Sequence, residues 1–248
     1  YSGITTEELD VESAKICMNM ATTHPLYGNI AGRILVSNLH KKTDNTFVDK
    51  MNTIHENTSR DNKNLLDRDW LEWINRNKEE LNAIIDYNRD YNLDFFAFKT
   101  LERAYLLKNP KTNHIYERPQ DMFLRVASFI NKGDVAKTKI TYDLMSTKAY
   151  THATPTLFNA GSTRPQLSSC FLLGTEDSLE GITQTWDRVS RISKWAGGIG
   201  LHVSNIRGKD SIIRGTNGIS SGIIPMLQVY NNIARYINQA GKRKGSFA

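Results

Sequence analysis

Along the first 150 residues, apolar positions recur at helical spacing. Leu9, Val11, Ala14, Ile16, Cys17 and Met20 follow one another at steps close to three and four, the signature of an amphipathic helix over 5–20. Thr5, with Glu8 three residues on, supplies a capping box at its start. Pro25 breaks the pattern, and a second helix is predicted from Leu26 through Arg33, Ile34, Leu35 and Leu39 to Lys41. Further helices are predicted near 46–56, 64–85, 97–107, 119–131 and 134–149. The segment KNPKTNHIYE (108–117) sets turn residues between short apolar runs and predicts a small hairpin.

From Thr151 the pattern changes to short strand, glycine turn, helix and short strand. THATPTLFNAG (151–161) and LSSCFLLGT (167–175) read as strands ending in turns. DSLEGITQTWDRVSRISKWA (177–196) reads as a helix capped by Asp177 or Ser178, and GGIGLHVSNIR (197–207) as a glycine turn entering a strand. SGIIPMLQVYNNIARYINQAG (221–241) predicts a second long helix, closing in the basic glycine loop KRKGS (242–246). Strands alternating with helices argue for a parallel or mixed α/β layer. Two strand-helix units are too few to close a barrel by themselves.

Composition sharpens this division. With 39% hydrophobic and 23% charged residues in 248, the chain is an ordered one of one large or two small domains. No window approaches 18 consecutive apolar residues, which excludes a transmembrane helix from the sequence reading. Tyr1 to Glu8 lacks the features of a signal peptide, and the absence of an initial Met suggests a processed chain or a piece of something longer. Two cysteines, Cys17 and Cys170, do not make a secreted disulfide scaffold and point to a reducing, cytoplasmic compartment. The net charge of +6 is unevenly placed. Residues 1–150 hold 21 basic and 21 acidic side chains, whereas 151–248 hold 11 and 5. Of the 16 glycines, 12 fall in the second stretch. The chemistry is expected there.

Trp70, Trp73, Tyr87, Tyr91, Phe95, Phe96 and Phe98 are expected in the core rather than as a base-stacking platform. Cys17 is expected to be an inert buried thiol. His24, His40, His55 and His114 are expected as surface or capping residues, since no pair has metal-ligand spacing with a third ligand nearby. AGGIG (196–200) is either a tight helix-to-strand turn or a backbone cradle for a phosphate, and it fits neither the Rossmann nor the P-loop spacing. Lys194, Arg207 and Arg214 flank it, while Lys242, Arg243 and Lys244 form a second basic cluster among glycines. Cys170 is either a small buried hydrophobe in a strand or a redox thiol, and the second reading needs another thiol within reach.

The strings PTLFNAGSTRPQLSSCFLL (155–173), KWAGGIG (194–200) and RGTNGISSGIIPMLQVYNNIARY (214–236) resemble the large (α) subunit of class I ribonucleotide reductase, of the eukaryotic and large-virus type. The resemblance extends back through ERPQDMFLRVA (117–127), FKTLERAYLL (98–107) and the start YSGITTEELD, covering essentially the whole chain. It implies a mostly α-helical N-terminal region followed by the first strand-helix units of a ten-stranded α/β barrel. Residues 1–42 are similar to the C-terminal part of an ATP-cone, 43–150 to the helical domain, and 151–248 to the start of the barrel. The implied activity is reduction of ribonucleoside diphosphates to 2′-deoxyribonucleoside diphosphates for DNA synthesis, under allosteric control by ATP and dNTPs.

The resemblance also assigns roles. Thr6 and Lys41 match activity-site contacts of ATP or dATP. Thr154 and Ser169 match substrate contacts, and Gly198 lies in the turn beside the substrate. Cys170 matches one half of the redox-active pair that delivers electrons to the ribose. Asp177, Ser178, Leu179, Lys194, Arg207, Arg214 and Gly215 match the site of the specificity effector, a dNTP, with Lys and Arg meeting its triphosphate. QAGKRKGS (239–246) matches the loop relaying effector identity. Position 154 carries Thr where relatives often carry Ser, which keeps the hydroxyl. GTEDSLEG (174–181) and the relay loop are slightly shorter than the family pattern, so effector preference is less defined than effector binding.

Implied partners are a second α subunit, a small (β) subunit whose metal centre generates the radical, thioredoxin or glutaredoxin as reductant, and the remainder of the large subunit. No metal, membrane or nucleic acid is expected at this chain. The radical-forming cysteine, the second redox cysteine and the catalytic Asn and Glu have no match within it, so the chain alone is expected to be inactive. The competing reading is a stand-alone nucleotide-binding regulatory module without catalysis. A nucleic-acid-binding role is disfavoured because the positive charge sits on glycine loops and no helix face is basic.

Overall fold

A computed structural model describes residues 3–43, 46–58, 64–109, 112–195, 197–237 and 246–248. The chain divides into two compact units, Tyr1–Pro165 and Gln166–Ala248. The first is helical among its described residues: α1 (Thr6–Asn19), α2 (Leu26–Lys42), α3 (Phe47–Thr58), α4 (Arg68–Arg76), α5 (Lys78–Ile84), α6 (Phe95–Ala104), α7 (Pro119–Ile130), α8 (Val135–Ser146) and α9 (Thr154–Asn159).

The capping box forms as expected. Thr5 Oγ1 accepts from the Glu8 N–H at 3.2 Å, and Glu8 Oε2 accepts from the Thr5 N–H at 2.9 Å. The start of α1 then lies against the end of α2, where Lys41 pairs with Asp10 at 2.8 Å and Lys42 pairs with Glu7. Acidic groups in a first helical turn and basic groups in a last one also complement the two helix dipoles. The core of the unit gathers Phe47, Met51 and Ile54 of α3, Trp70 and Ile74 of α4, Leu81 of α5, Leu124 of α7 and Tyr142 of α8.

Beside this apolar core lies a buried polar network. Lys50 donates to Asp121 Oδ2 at 2.8 Å, the Tyr87 hydroxyl donates to Asp121 Oδ1 at 2.6 Å, and the Arg118 N–H donates to Asp121 Oδ2 at 2.7 Å. Burial pulls the Lys50 ammonium below the usual lysine range, with Asp121 acting against that shift. Such a carboxylate needs several donors to sit away from water, and all three are supplied.

The single helix predicted over 64–85 is two, because Asn77 caps α4 and its side-chain amide donates to the Trp73 carbonyl at 2.8 Å. The strand expected over 151–161 is the short helix α9, started by Pro155, whose ring pre-sets the first-turn backbone. His40 is not a surface or capping residue. It is half-buried, with Nε2 2.8 Å from the buried carboxylate of Asp90, whose own ionisation burial opposes. Cys17 is half-buried rather than fully buried, since α1 buries only Ala14. Of the aromatic set Trp70, Trp73 and Phe98 are core residues, while Phe96 is exposed. The hairpin over 108–117 is reduced to one antiparallel bridge, Lys108 to Ile115, among the described residues.

The second unit alternates strand and helix: β1 (Cys170–Gly174), α10 (Leu179–Ser193), β2 (Gly198–His202), β3 (Ile212–Ile213), β4 (Gly218–Ile219), α11 (Ile223–Tyr236) and β5 (Ser246–Phe247). β1, β2 and β5 form a parallel sheet in that order, with Cys170 beside Gly198 and Leu172 beside Gly200. β3 and β4 form a separate antiparallel hairpin. Leu173, Ile199, Leu201 and Phe247 of the sheet pack with Val189 of α10 and with Met226 and Tyr230 of α11. Strand side chains alternate between faces, so Cys170 and Leu172 lie on the opposite face of β1. Both are exposed. Among the described residues, no helix is long and apolar enough to cross a membrane.

Candidate functional site

Cys170 opens β1 and is exposed, so the reading of a buried strand thiol is set aside. Its Sγ lies 3.3 Å from Ser169 Oγ. Gly198, its partner across the sheet, donates its N–H to the Ser169 carbonyl at 2.8 Å. Ser169, Cys170 and Gly198 are thus brought together at one end of the parallel sheet.

The glycine turn earns its residues by packing. A Cβ at Gly197 would stand 2.7 Å from Ile192 Cγ2 and 2.8 Å from a Phe171 ring carbon. The Gly197 N–H donates to the Ile192 carbonyl at 3.3 Å and the Gly198 N–H to Ser169, as above. A phosphate cradle needs N–H groups aimed at the ligand. These two donors are already spent on the fold, so the expectation of a backbone cradle at Gly197 and Gly198 is corrected to that of a tight turn. The turn leaves the Cys170 face of the sheet lined by glycine at positions 198 and 200.

A second constellation forms around the start of α10. Ser178, rather than Asp177, caps the helix: its Oγ accepts from the Gly181 N–H at 3.0 Å. Asp177 turns instead to Arg207, whose Nε donates to both carboxylate oxygens, at 3.1 and 2.9 Å. Arg207 also reaches the carbonyls of Asp177 and Ile212, both at 3.4 Å. Beside this pair opens a cleft of about 450 Å³ lined by Asp177, Arg207, Ser211, Ile212, Ile213, Arg214 and Gly215. Arg214 and Gly215 lie in the turn between β3 and β4. Two arginines and a carboxylate on a shallow, open cleft suit a ligand carrying both phosphate and hydroxyl groups.

Leu179 sits at the first position of α10, 69% exposed. Lys194 caps the other end of that helix, over the Trp195 ring. A helix of this length places it roughly 22 Å from the Asp177 end, so the fold does not bring Lys194 to the cleft. Ser211, Ile212 and Ile213 were missed from the sequence. The readable signal is Asn217, which takes a positive φ of 53° at the end of the four-residue turn, Arg214 to Asn217, that joins β3 to β4.

The remaining candidates lie in the first unit. Thr154 begins α9, and its Oγ1 is 3.0 Å from the Tyr105 hydroxyl. Thr6 is the exposed first residue of α1, and Lys41, paired with Asp10, is at the same end of the α1–α2 pair. Residues 239–245 of the basic glycine loop lie outside the described residues. Among the described residues no group of three His, Cys, Asp or Glu could hold a metal ion.

A helical unit is followed by a parallel strand-helix layer that presents an exposed cysteine at the start of its first strand, the architecture of a helical domain leading into an α/β domain. The chain belongs to the ribonucleotide reductase family: the family's all-alpha domain matches residues 91–165 and its barrel domain residues 168–248. It is similar over its whole length to ribonucleoside-diphosphate reductase large subunits, at 51% identity to those of Plasmodium falciparum and Caenorhabditis elegans and 50% to that of monkeypox virus. The chain spans about a third of the length of these curated relatives, 31%, 32% and 33% respectively.

Proposed function

We propose that the chain is part of a ribonucleoside-diphosphate reductase large subunit and contributes one redox thiol, substrate contacts and a nucleotide-effector site. The single observation that carries the reading is Cys170, exposed at the open end of β1 and flanked by Ser169 and Gly198. In the reaction, two thiols give two electrons and two protons to the substrate. The ribose 2′-hydroxyl leaves as water, a C2′–H bond replaces the C–O bond, and the thiols close to a disulfide. Cys170 is one of these thiols, and the other comes from the remainder of the subunit, as does the cysteine that carries the radical. Ser169, Gly198 and Thr154 contact the ribose and diphosphate of the substrate.

The Asp177–Arg207 cleft takes a dNTP: Arg207 and Arg214 meet its phosphates and Asp177 accepts from a sugar hydroxyl. Ser178, Leu179 and Gly215 shape the same site. Lys194, at the far end of α10, acts on a ligand reaching that end. Residues 1–42 serve as the C-terminal part of an ATP-cone, with Thr6 and Lys41 as ATP or dATP contacts, 43–150 as the helical domain and 151–248 as the barrel start. A second α subunit docks on α10 and α11, where Leu179, Ile224 and Tyr236 are exposed apolar residues. A small subunit with a metal centre supplies the radical, and thioredoxin or glutaredoxin reduces the disulfide, in the cytoplasm.

The test is CDP reduction by the complete large subunit with its small subunit. Cys170→Ser is expected to abolish multiple turnover while leaving dNTP binding intact. Wild-type turnover by that variant would overturn the reading. Binding of dNTP without any CDP reduction by the unsubstituted subunit would favour a regulatory module.

A further inference from the structure

Thr154 is held by its neighbours in a way that the resemblance did not anticipate. The Tyr105 hydroxyl lies 3.0 Å from Thr154 Oγ1. Its ring stacks on Phe158, one turn further along α9, with centroids 4.9 Å apart and planes inclined by 21°. Tyr105 therefore grips α9 twice, through a hydroxyl and through a ring face.

Both gripping elements are tied to one buried ion pair. Arg125 and Glu117 are completely buried, with Arg125 Nε donating to Glu117 Oε1 at 2.5 Å and Nη2 to Oε2 at 3.1 Å. Glu117 Oε2 also accepts from the Leu107 N–H at 2.9 Å, two residues past Tyr105. Arg125 donates to the carbonyls of Ala160 and Leu157, at 2.6 and 3.1 Å, at the far end of α9. The planar guanidinium thus ties the end of α9 to Glu117, while Glu117 ties down the segment that carries Tyr105.

We propose that Tyr105 is a positioning residue that orients the Thr154 hydroxyl for a nucleoside diphosphate, with the Glu117–Arg125 pair setting the geometry. The inference rests on the reading of Thr154 as a substrate contact. A phosphate oxygen only accepts, so Thr154 must spend its single proton on it. The threonine oxygen is then left with lone pairs, and the Tyr105 O–H supplies a proton to one of them. A donor at that place also strengthens the outgoing bond, because hydrogen bonds in a chain polarise one another.

The experiment is a double-mutant cycle in the complete large subunit with its small subunit, reading KM and kcat for CDP. Tyr105→Phe keeps the ring stack and removes only the hydroxyl. It is expected to raise KM for CDP roughly two- to tenfold, the worth of one hydrogen bond, with kcat changed less than about twofold. Thr154→Val is expected to raise KM as well, and adding Tyr105→Phe to it to have no further effect. An unchanged KM in Tyr105→Phe beside a raised KM in Thr154→Val would overturn the positioning role and leave the substrate contact standing. Additive effects in the double variant would overturn it equally. An unchanged KM in both single variants would overturn the substrate contact itself and the positioning role with it.

Discussion

Arg207 holds Asp177 side-on, its Nε donating to both carboxylate oxygens at 3.1 and 2.9 Å. The two residues are 30 positions apart, and their pairing joins the loop after β1 to the loop before β3. An arginine so placed does two things at once. It fixes the carboxylate that faces the cleft, and its Nη groups, near the Ile212 and Asp177 carbonyls, border the space open to a ligand.

Arg207→Lys keeps the charge and loses the planar fork. It is expected to weaken dNTP binding by the complete subunit by roughly tenfold, since a lysine cannot reproduce forked contacts. Equilibrium dialysis with labelled dTTP measures this. Affinity equal to wild type would separate Arg207 from the proposed effector site.

Gly32 on α2 marks where that helix meets the segment leading into α6. A Cβ there would collide with the Leu93 carbonyl oxygen and stand 2.7 Å from the Asp94 carbonyl carbon. Alanine ordinarily stabilises a helix interior by about 1 kcal/mol over glycine. Here the obstacle is backbone, which cannot swing aside, and overpacking of this kind costs about 1–3 kcal/mol. Gly32→Ala is expected to lower the unfolding midpoint in urea, and a raised midpoint would show that α2 shifts without cost.

Asp143 shapes the acid limb of stability. Burial opposes its charge, yet hydrogen bonds from Lys139 and Arg89 outweigh that and hold the carboxyl below its usual 3.8. A depressed folded value means the contribution is present above the unfolded one and is lost as pH falls through 3.8 and below. Asp143→Asn is expected to destabilise at about pH 7, with a smaller gap to wild type at about pH 3, below the unfolded value. Thermal melts at both pH values check this. A gap of equal size at the two would mean that the charge of Asp143 carries none of it.

Much of the helical unit was legible because periodicity and capping are local. The Thr5–Glu8 box and the run Leu26 to Lys42 depend on residues within one or two turns of each other. The break at Asn77 and the helix at Thr154 were not legible in the same way. The first turns on one side-chain bond to Trp73, and the second on support at both ends of a short segment that reads equally well as a strand.

The sequence by itself determined the family and the succession of helices and then strand-helix units, because long ordered strings and hydrophobic period survive without coordinates. Tertiary structure alone decided which groups meet. It paired Asp177 with Arg207, left Lys194 at the opposite end of α10, used the glycine-turn N–H groups for folding, and set Tyr105 against Thr154. Those outcomes depend on side-chain reach and competing donors between distant segments. Neither residue spacing nor charge along the chain records them.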